Sequence, residues 1–187
     1  MTEPLTIHTL APAAPAWDHD PLIADNIRCL EQGIDVVREL PEGLYSAPGL
    51  VGSPVGSHFR HVLDHYTMFL EGLASGVMHY EGRRRDPQVE TEREVGLALA
   101  AELAQRLRGL TSTLLARPLR VRCLTGAYAE DVHGDHPSSV PRELHFLMLH
   151  TVHHYSYIAA ELKLRGHRVS PEFGIAPATL QYRRAQS

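Results

Sequence analysis

The chain has 187 residues, with 22 acidic and 18 basic side chains, a net charge of -4, 43% hydrophobic content, 13 histidines and 2 cysteines. At roughly 100–200 residues per domain this is one domain with flanking segments, large enough to bury a core without staples. Cys29 and Cys123 lie far apart with no CxxC, which excludes a zinc ribbon or redox dithiol and points to the cytoplasm, and the acidic balance excludes nucleic acid.

The short basic run Arg83-Arg84-Arg85 is answered by Glu90, Glu92 and Glu94, so it makes no broad field for phosphates. Met1 to Trp17 has neither the cationic opening nor the apolar run of an export signal. No apolar stretch approaches the roughly 18 residues of a membrane span.

In chain order, residues 1–19 carry Pro4, Pro12 and Pro15 among small residues and read as a loose lead-in. Asp20-Pro21 is an N-cap followed by proline at the first helical position, and Ile23, Ile27, Leu30, Ile34 and Val37 then recur at steps of four and three. This first predicted helix stops before Pro41-Glu42-Gly43, and a loop with Pro48, Gly49 and Gly52 follows. Ser53-Pro54 opens a second helix with Val55, Phe59, Val62, Tyr66, Phe69 and Leu73 as its apolar stripe, ending at Gly76.

After a charged, aperiodic stretch, Thr91 with Glu94 three residues on has the form of a capping box for a third helix. Leu97, Ala101, Ala104, Leu107, Thr111 and Leu114 make its stripe, and Pro118 ends it. The long connection Leu119 to Pro137 follows, in which Arg120 to Leu124 reads as a short strand or extended crossover. Ser138 or Ser139 starts the fourth helix, with Pro141 in its first turn, and Arg165-Gly166 stops it. The domain therefore spans 20–169, and 170–187 is a packed or frayed tail. Four long amphipathic segments without a strand series predict an all-α bundle.

The fourth helix sets His150 and His154 among Leu147, Ile158 and Glu161, so two imidazoles one turn apart on a core-facing stripe can reach one metal ion. His153 is the competing partner, about 100° round the helix from His154. Spacing by itself is weak, because histidines at this density give about one i,i+4 pair at random, and the chain has His61/His65 as well as His150/His154. Position weighs more. Imidazoles buried without partners each cost roughly a few kcal/mol, and coordination satisfies them.

On the second helix His58, His61 and His65 follow at steps of three and four. His61 is best placed to lean inward as a third ligand, Asp64 and His65 can support it by hydrogen bonds, and His58 reads as solvated. Three imidazoles with no fourth protein ligand leave the open position of a catalytic metal. His133 and His136, in the linker, read as solvated too.

The run Phe59-Arg60-His61-Val62-Leu63-Asp64-His65 on the second helix and His150-Thr151-Val152-His153-His154 on the fourth closely resemble the DinB/YfiT-like family of proposed metalloenzymes. The segments Tyr80 to Asp86 and Arg142-Glu143-Leu144 look like one bacterial branch of it, and the resemblance covers roughly residues 20–165. It implies a four-helix bundle with a long crossover connection between helices three and four. It also implies a divalent ion, zinc, nickel or iron, held by His61, His150 and His154.

The activities implied are thiol-dependent transferases and isomerases using bacillithiol, mycothiol or glutathione, and a domain of the iron-dependent sulfoxide synthases. The sulfoxide synthases' HxxxHxE pattern needs Glu at position 156, where Ser156 stands, so a stand-alone metal-dependent thiol transferase or hydrolase is preferred.

Such an enzyme needs a small anionic partner, for which Arg83, Arg85 and Arg142 offer guanidinium forks, with Tyr80 and Tyr157 as pocket walls. The alternative is a non-catalytic, metal-binding or dimeric interaction module on the same bundle, since Leu- and Ala-rich helix faces suit a homodimer equally well.

Overall fold

The computed structural model describes residues 20–50, 52–125 and 132–186. The expected lead-in 1–19 and the middle of the long connection, 126–131, lie outside the described residues. Helix α1 (Pro21–Arg38) starts where the sequence marks it, with the Asp20 carboxylate accepting from the Leu22 and Ile23 amides at 2.9 and 3.1 Å. Helix α2 (Val55–Ser75) begins one residue later than expected. Pro54 takes the cap position with no side-chain cap, and Gly76 closes the helix in the left-handed conformation that glycine adopts without strain.

Beyond α2 come strand β1 (Val77–Met78), a 3-10 turn at Tyr80–Gly82, helix α3 (Pro87–Thr91) and helix α4 (Arg93–Arg108). The capping-box reading at Thr91 is corrected here. Asp86-Pro87 caps an earlier short helix, the Thr91 hydroxyl donates to the Pro87 carbonyl inside it, and extended Glu92 separates it from α4. The buried face of α4 is accordingly rotated to Gly96, Ala100, Leu103, Ala104 and Leu107, leaving Ala101 exposed. The expected third helix also stops short of Pro118, at Arg108, with one further turn, α5 (Ser112–Leu115).

The long connection is a hairpin. Strand β2 (Pro118–Thr125) pairs antiparallel with β3 (Val132–Ser139), Pro118 opposite Ser139 and Val121 opposite His136, while β1 lies parallel along β2. A mostly helical chain thus carries a three-stranded sheet that the all-α expectation lacked. β3 is Val-His-Gly-Asp-His-Pro-Ser-Ser, without apolar alternation, so its extended form comes from pairing, and Pro137 is tolerated because the strand is an edge.

Ser139 then caps helix α6 (Val140–Leu164), whose chain reverses at left-handed Gly166 before helix α7 (Pro177–Arg184). No helix among the described residues is long and apolar enough to cross a membrane.

α1 packs on α4 and α6, and α2 packs on the same two helices. Phe59, Val62, Leu63, Tyr66 and Phe69 from α2 meet Leu144, Leu147, Tyr155 and Ile158 from α6 in one core. Buried Asn26 fixes the register of three helices, donating to the Leu22 and Leu144 carbonyls while its oxygen accepts from the Tyr66 hydroxyl at 2.7 Å. Phe173, from the expected tail, is buried and stacks on Tyr155, so the chain just after α6 belongs to the core.

Candidate metal centre

The apolar residues that seat α2 and α6 against each other determine where their histidines go. With Phe59, Val62, Leu63 and Tyr66 buried, the interleaved His58, His61 and His65 fall along one edge of α2. With Leu147, Thr151, Tyr155 and Ile158 buried, His150 and His154 fall along the facing edge of α6. The two edges meet, giving a cluster of five imidazoles.

His61, His65 and His150 bring one nitrogen each to within 4.8 Å of one another, an arrangement able to hold a metal ion. Their ring centroids lie 4.5 Å (His61–His65), 5.0 Å (His61–His150) and 4.2 Å (His65–His150) apart. His65 Nδ1 donates to the His61 carbonyl at 2.8 Å, which fixes its tautomer and leaves the Nε2 lone pair for a ligand bond. His150 Nε2 is buried with no hydrogen-bond partner. A cation at this point would satisfy that orphaned nitrogen, so the residues present fit a bound ion.

His154 sits differently from its expected role. Its ring touches His61 at 4.4 Å and His150 at 4.6 Å, but its Nδ1 faces His58 Nδ1 at 3.0 Å. His58 is half-buried and stacked on Tyr157 rather than solvated. His153 is exposed and meets His154 and Tyr157 edge-on.

Burial keeps these imidazoles neutral, the form that binds metal. It pushes His61 down to about 2, helped by the neighbouring imidazoles and Arg83, and pushes His150 to about 3 and His154 to about 4. His58 and His65 are lowered as well, burial again the main cause.

The surrounding residues divide into those that touch the cluster and those that do not. The Tyr80 ring lies flat on His65 with centroids 5.4 Å apart, and its hydroxyl donates to the fully buried Glu143 carboxylate at 2.9 Å. Ser138 and Arg142 donate to the same carboxylate. Phe146 packs against His65, Tyr80 and His150 and carries the Arg142 guanidinium over its face at 5.5 Å.

Arg83 is half-buried, and its charge bears on His61, His65 and His150. Its Nη1 donates to the Tyr80 carbonyl, while Nε is buried without a partner. Arg85 is exposed. Asp64 does not support His61, because it accepts from Arg60 at 2.6 Å, and Arg60 in turn reaches Glu90.

A shallow depression of about 340 Å³, lined by Arg142, His145, Phe146, Leu149 and His150, reaches the edge of the cluster. A larger one, about 410 Å³, lies between the C-terminal ends of α1 and α6 and touches none of the five histidines. Sequence reasoning missed Glu143 and Phe146, and it treated His65 as support. The signal for His65 was its own i,i+4 spacing from His61.

No protein-family model matches the chain, and no solved structure matches it. Among curated proteins, FK506-binding protein 5 of Rhizopus delemar is 30% identical over 111 residues, 59% of this chain and 28% of that protein. The chain spans little more than a quarter of that relative, whose name says nothing of a histidine cluster.

Proposed function

We propose that the protein is a divalent-metal-dependent enzyme on a DinB/YfiT-like four-helix bundle, acting as a thiol-dependent transferase or hydrolase on a small anionic substrate. The observation that carries this reading is the convergence of three neutral, half-buried or buried imidazoles, with His150 Nε2 unsatisfied. The cyclic packing of α1, α4, α2 and α6 supports the bundle, with the β2–β3 hairpin as its long crossover.

His61, His65 and His150 hold the ion, His65 taking the place that the resemblance gives to His154. Zinc, nickel or iron bound there would supply Lewis acidity to a water or a low-molecular-weight thiol. The chain's own residues do the rest. All the protein ligands are neutral and the Arg83 guanidinium bears on each of the three, so the open side of the site favours an anion. Arg83 Nε provides an unused donor for it, and Phe146 and Leu149 offer an apolar wall in the depression beside His150.

Free Cys29 and Cys123 suit a reducing cytoplasm. The test is a screen of bacillithiol, mycothiol and glutathione against electrophiles such as epoxides and maleylpyruvate. Metal-dependent thiol consumption, abolished by chelation and by Arg83→Ala, is expected, and turnover unaffected by chelation contradicts the reading.

A further inference from the structure

The geometry points to a second small-molecule site, the cavity between the C-terminal ends of α1 and α6, which takes a zwitterion with an apolar body, the chemistry of a free apolar amino acid. None of the clustered histidines lines it. Its volume of about 410 Å³ lies within the roughly 300–1,000 Å³ of small-molecule sites, and it has their make-up, an apolar lining with a few polar groups around it.

Buried Leu40, Leu162 and Phe173 form the apolar lining, with half-buried Val36 and Val169 beside them. Phe173 is held by stacking on Tyr155, with ring centroids 4.7 Å apart. The turn after α6 is fixed too, since left-handed Gly166 reverses the chain and the His167 amide donates to the Leu162 carbonyl at 2.9 Å. A cavity held in this way needs little ordering when a ligand enters.

Charge divides the lining in two. Helix α1 supplies Asp35 and Glu39, whereas the chain after α6 supplies His167 and Arg168. Asp35 is paired with Arg38 at 3.4 Å, but among the described residues neither Glu39 nor Arg168 has an ion-pair partner. Glu39 caps the C-terminal end of α1, where free carbonyls already concentrate negative potential. A carboxylate there works against the helix and in favour of a ligand cation, so an ammonium group is its match. The Arg168 guanidinium matches a carboxylate. Both residues are exposed, so a zwitterion keeps its charges hydrated at the rim while its apolar body fills the lining. A ligand with a single charge leaves either Glu39 or Arg168 unanswered.

The experiment follows backbone amide NMR shifts of the full chain with three ligands that share one ring. They are L-phenylalanine, phenethylamine, which keeps only the ammonium, and phenylpropionate, which keeps only the carboxylate. Phenylalanine is expected to bind about fivefold more tightly than either, the upper end for an exposed ion pair, with shifts at Leu40, Gly166 and Val169. Glu39→Gln is expected to lose the preference over phenylpropionate and keep that over phenethylamine, and Arg168→Gln to do the reverse. Because Glu39 opposes the helix end, ligand-free Glu39→Gln is expected to unfold at a temperature no lower than wild type, so that its lost preference is not damaged folding.

No saturable shift at these amides with about 10 mM phenylalanine overturns the inference. So do equal affinities for the three ligands, shifts centred on the histidine cluster, or a Glu39→Gln variant that discriminates among the ligands as wild type does.

Discussion

His65 Nδ1 donates to the carbonyl of His61, one turn earlier on α2, at 2.8 Å. The backbone of one ligand thereby aims the ring of the next, so the two act as a unit. His65→Ala is expected to weaken zinc or nickel binding by about 100-fold in a chelator-competition titration, while exposed His153→Ala leaves it unchanged. Equal losses in the two variants would contradict the assignment.

Tyr80 joins that unit to the start of α6 through its bond to Glu143, which is 0% exposed. Tyr80→Phe keeps the ring on His65 and removes one donor from a buried carboxylate. A loss of about 1–3 kcal/mol in urea unfolding is expected, with the far-ultraviolet helical signal retained. An unchanged unfolding midpoint would count against the buried network.

The histidine cluster gives the apoprotein a particular pH dependence. In the unfolded chain these imidazoles take up protons near about pH 6.5, whereas in the folded chain His154, His150 and His61 stay neutral down to about 4, 3 and 2. Between those limits the unfolded state binds more protons, so stability is present above about pH 6.5 and falls as pH drops below it. Thermal unfolding with chelator is expected to show Tm falling from about pH 7.5 to about pH 5, with a shallower slope in His61→Asn/His150→Asn. A flat profile would contradict the neutral cluster.

How the sequence and the structure relate can be read from particular residues. Local chemistry marked the ends of α1 and α6, because Asp20-Pro21, Ser139 and Gly166 each act on backbone groups within a turn of themselves. Strand β3 had no such marker, since its conformation is conferred by β2 across the sheet. Thr91 and Glu94 matched a capping pattern that Asp86 pre-empted, a competition between two legitimate local signals. Helical spacing brought α2 and α6 histidines to one place. It could not say that His154 would turn to His58 and His65 would turn inward, because that choice is made by rotamers and by the His61 carbonyl.

The α1–α6 contact yields a separate expectation. A Cβ on Gly33 would collide with the Tyr155 hydroxyl, which is buried without a hydrogen-bond partner. Gly33→Ala is expected to cost about 1–3 kcal/mol by overpacking, and Tyr155→Phe to be neutral or stabilising because it removes an unsatisfied group. Combining them should recover part of the loss, measured by urea midpoints, and strict additivity would argue against direct contact.

The most direct measurement is the metal content of protein purified without a histidine tag, reconstituted and desalted, for wild type and His61→Ala/His150→Ala. About one ion per chain in wild type and less than about a tenth in the double variant are predicted. Less than about a tenth in wild type, or equal occupancy in the two proteins, would contradict a metal centre on these histidines.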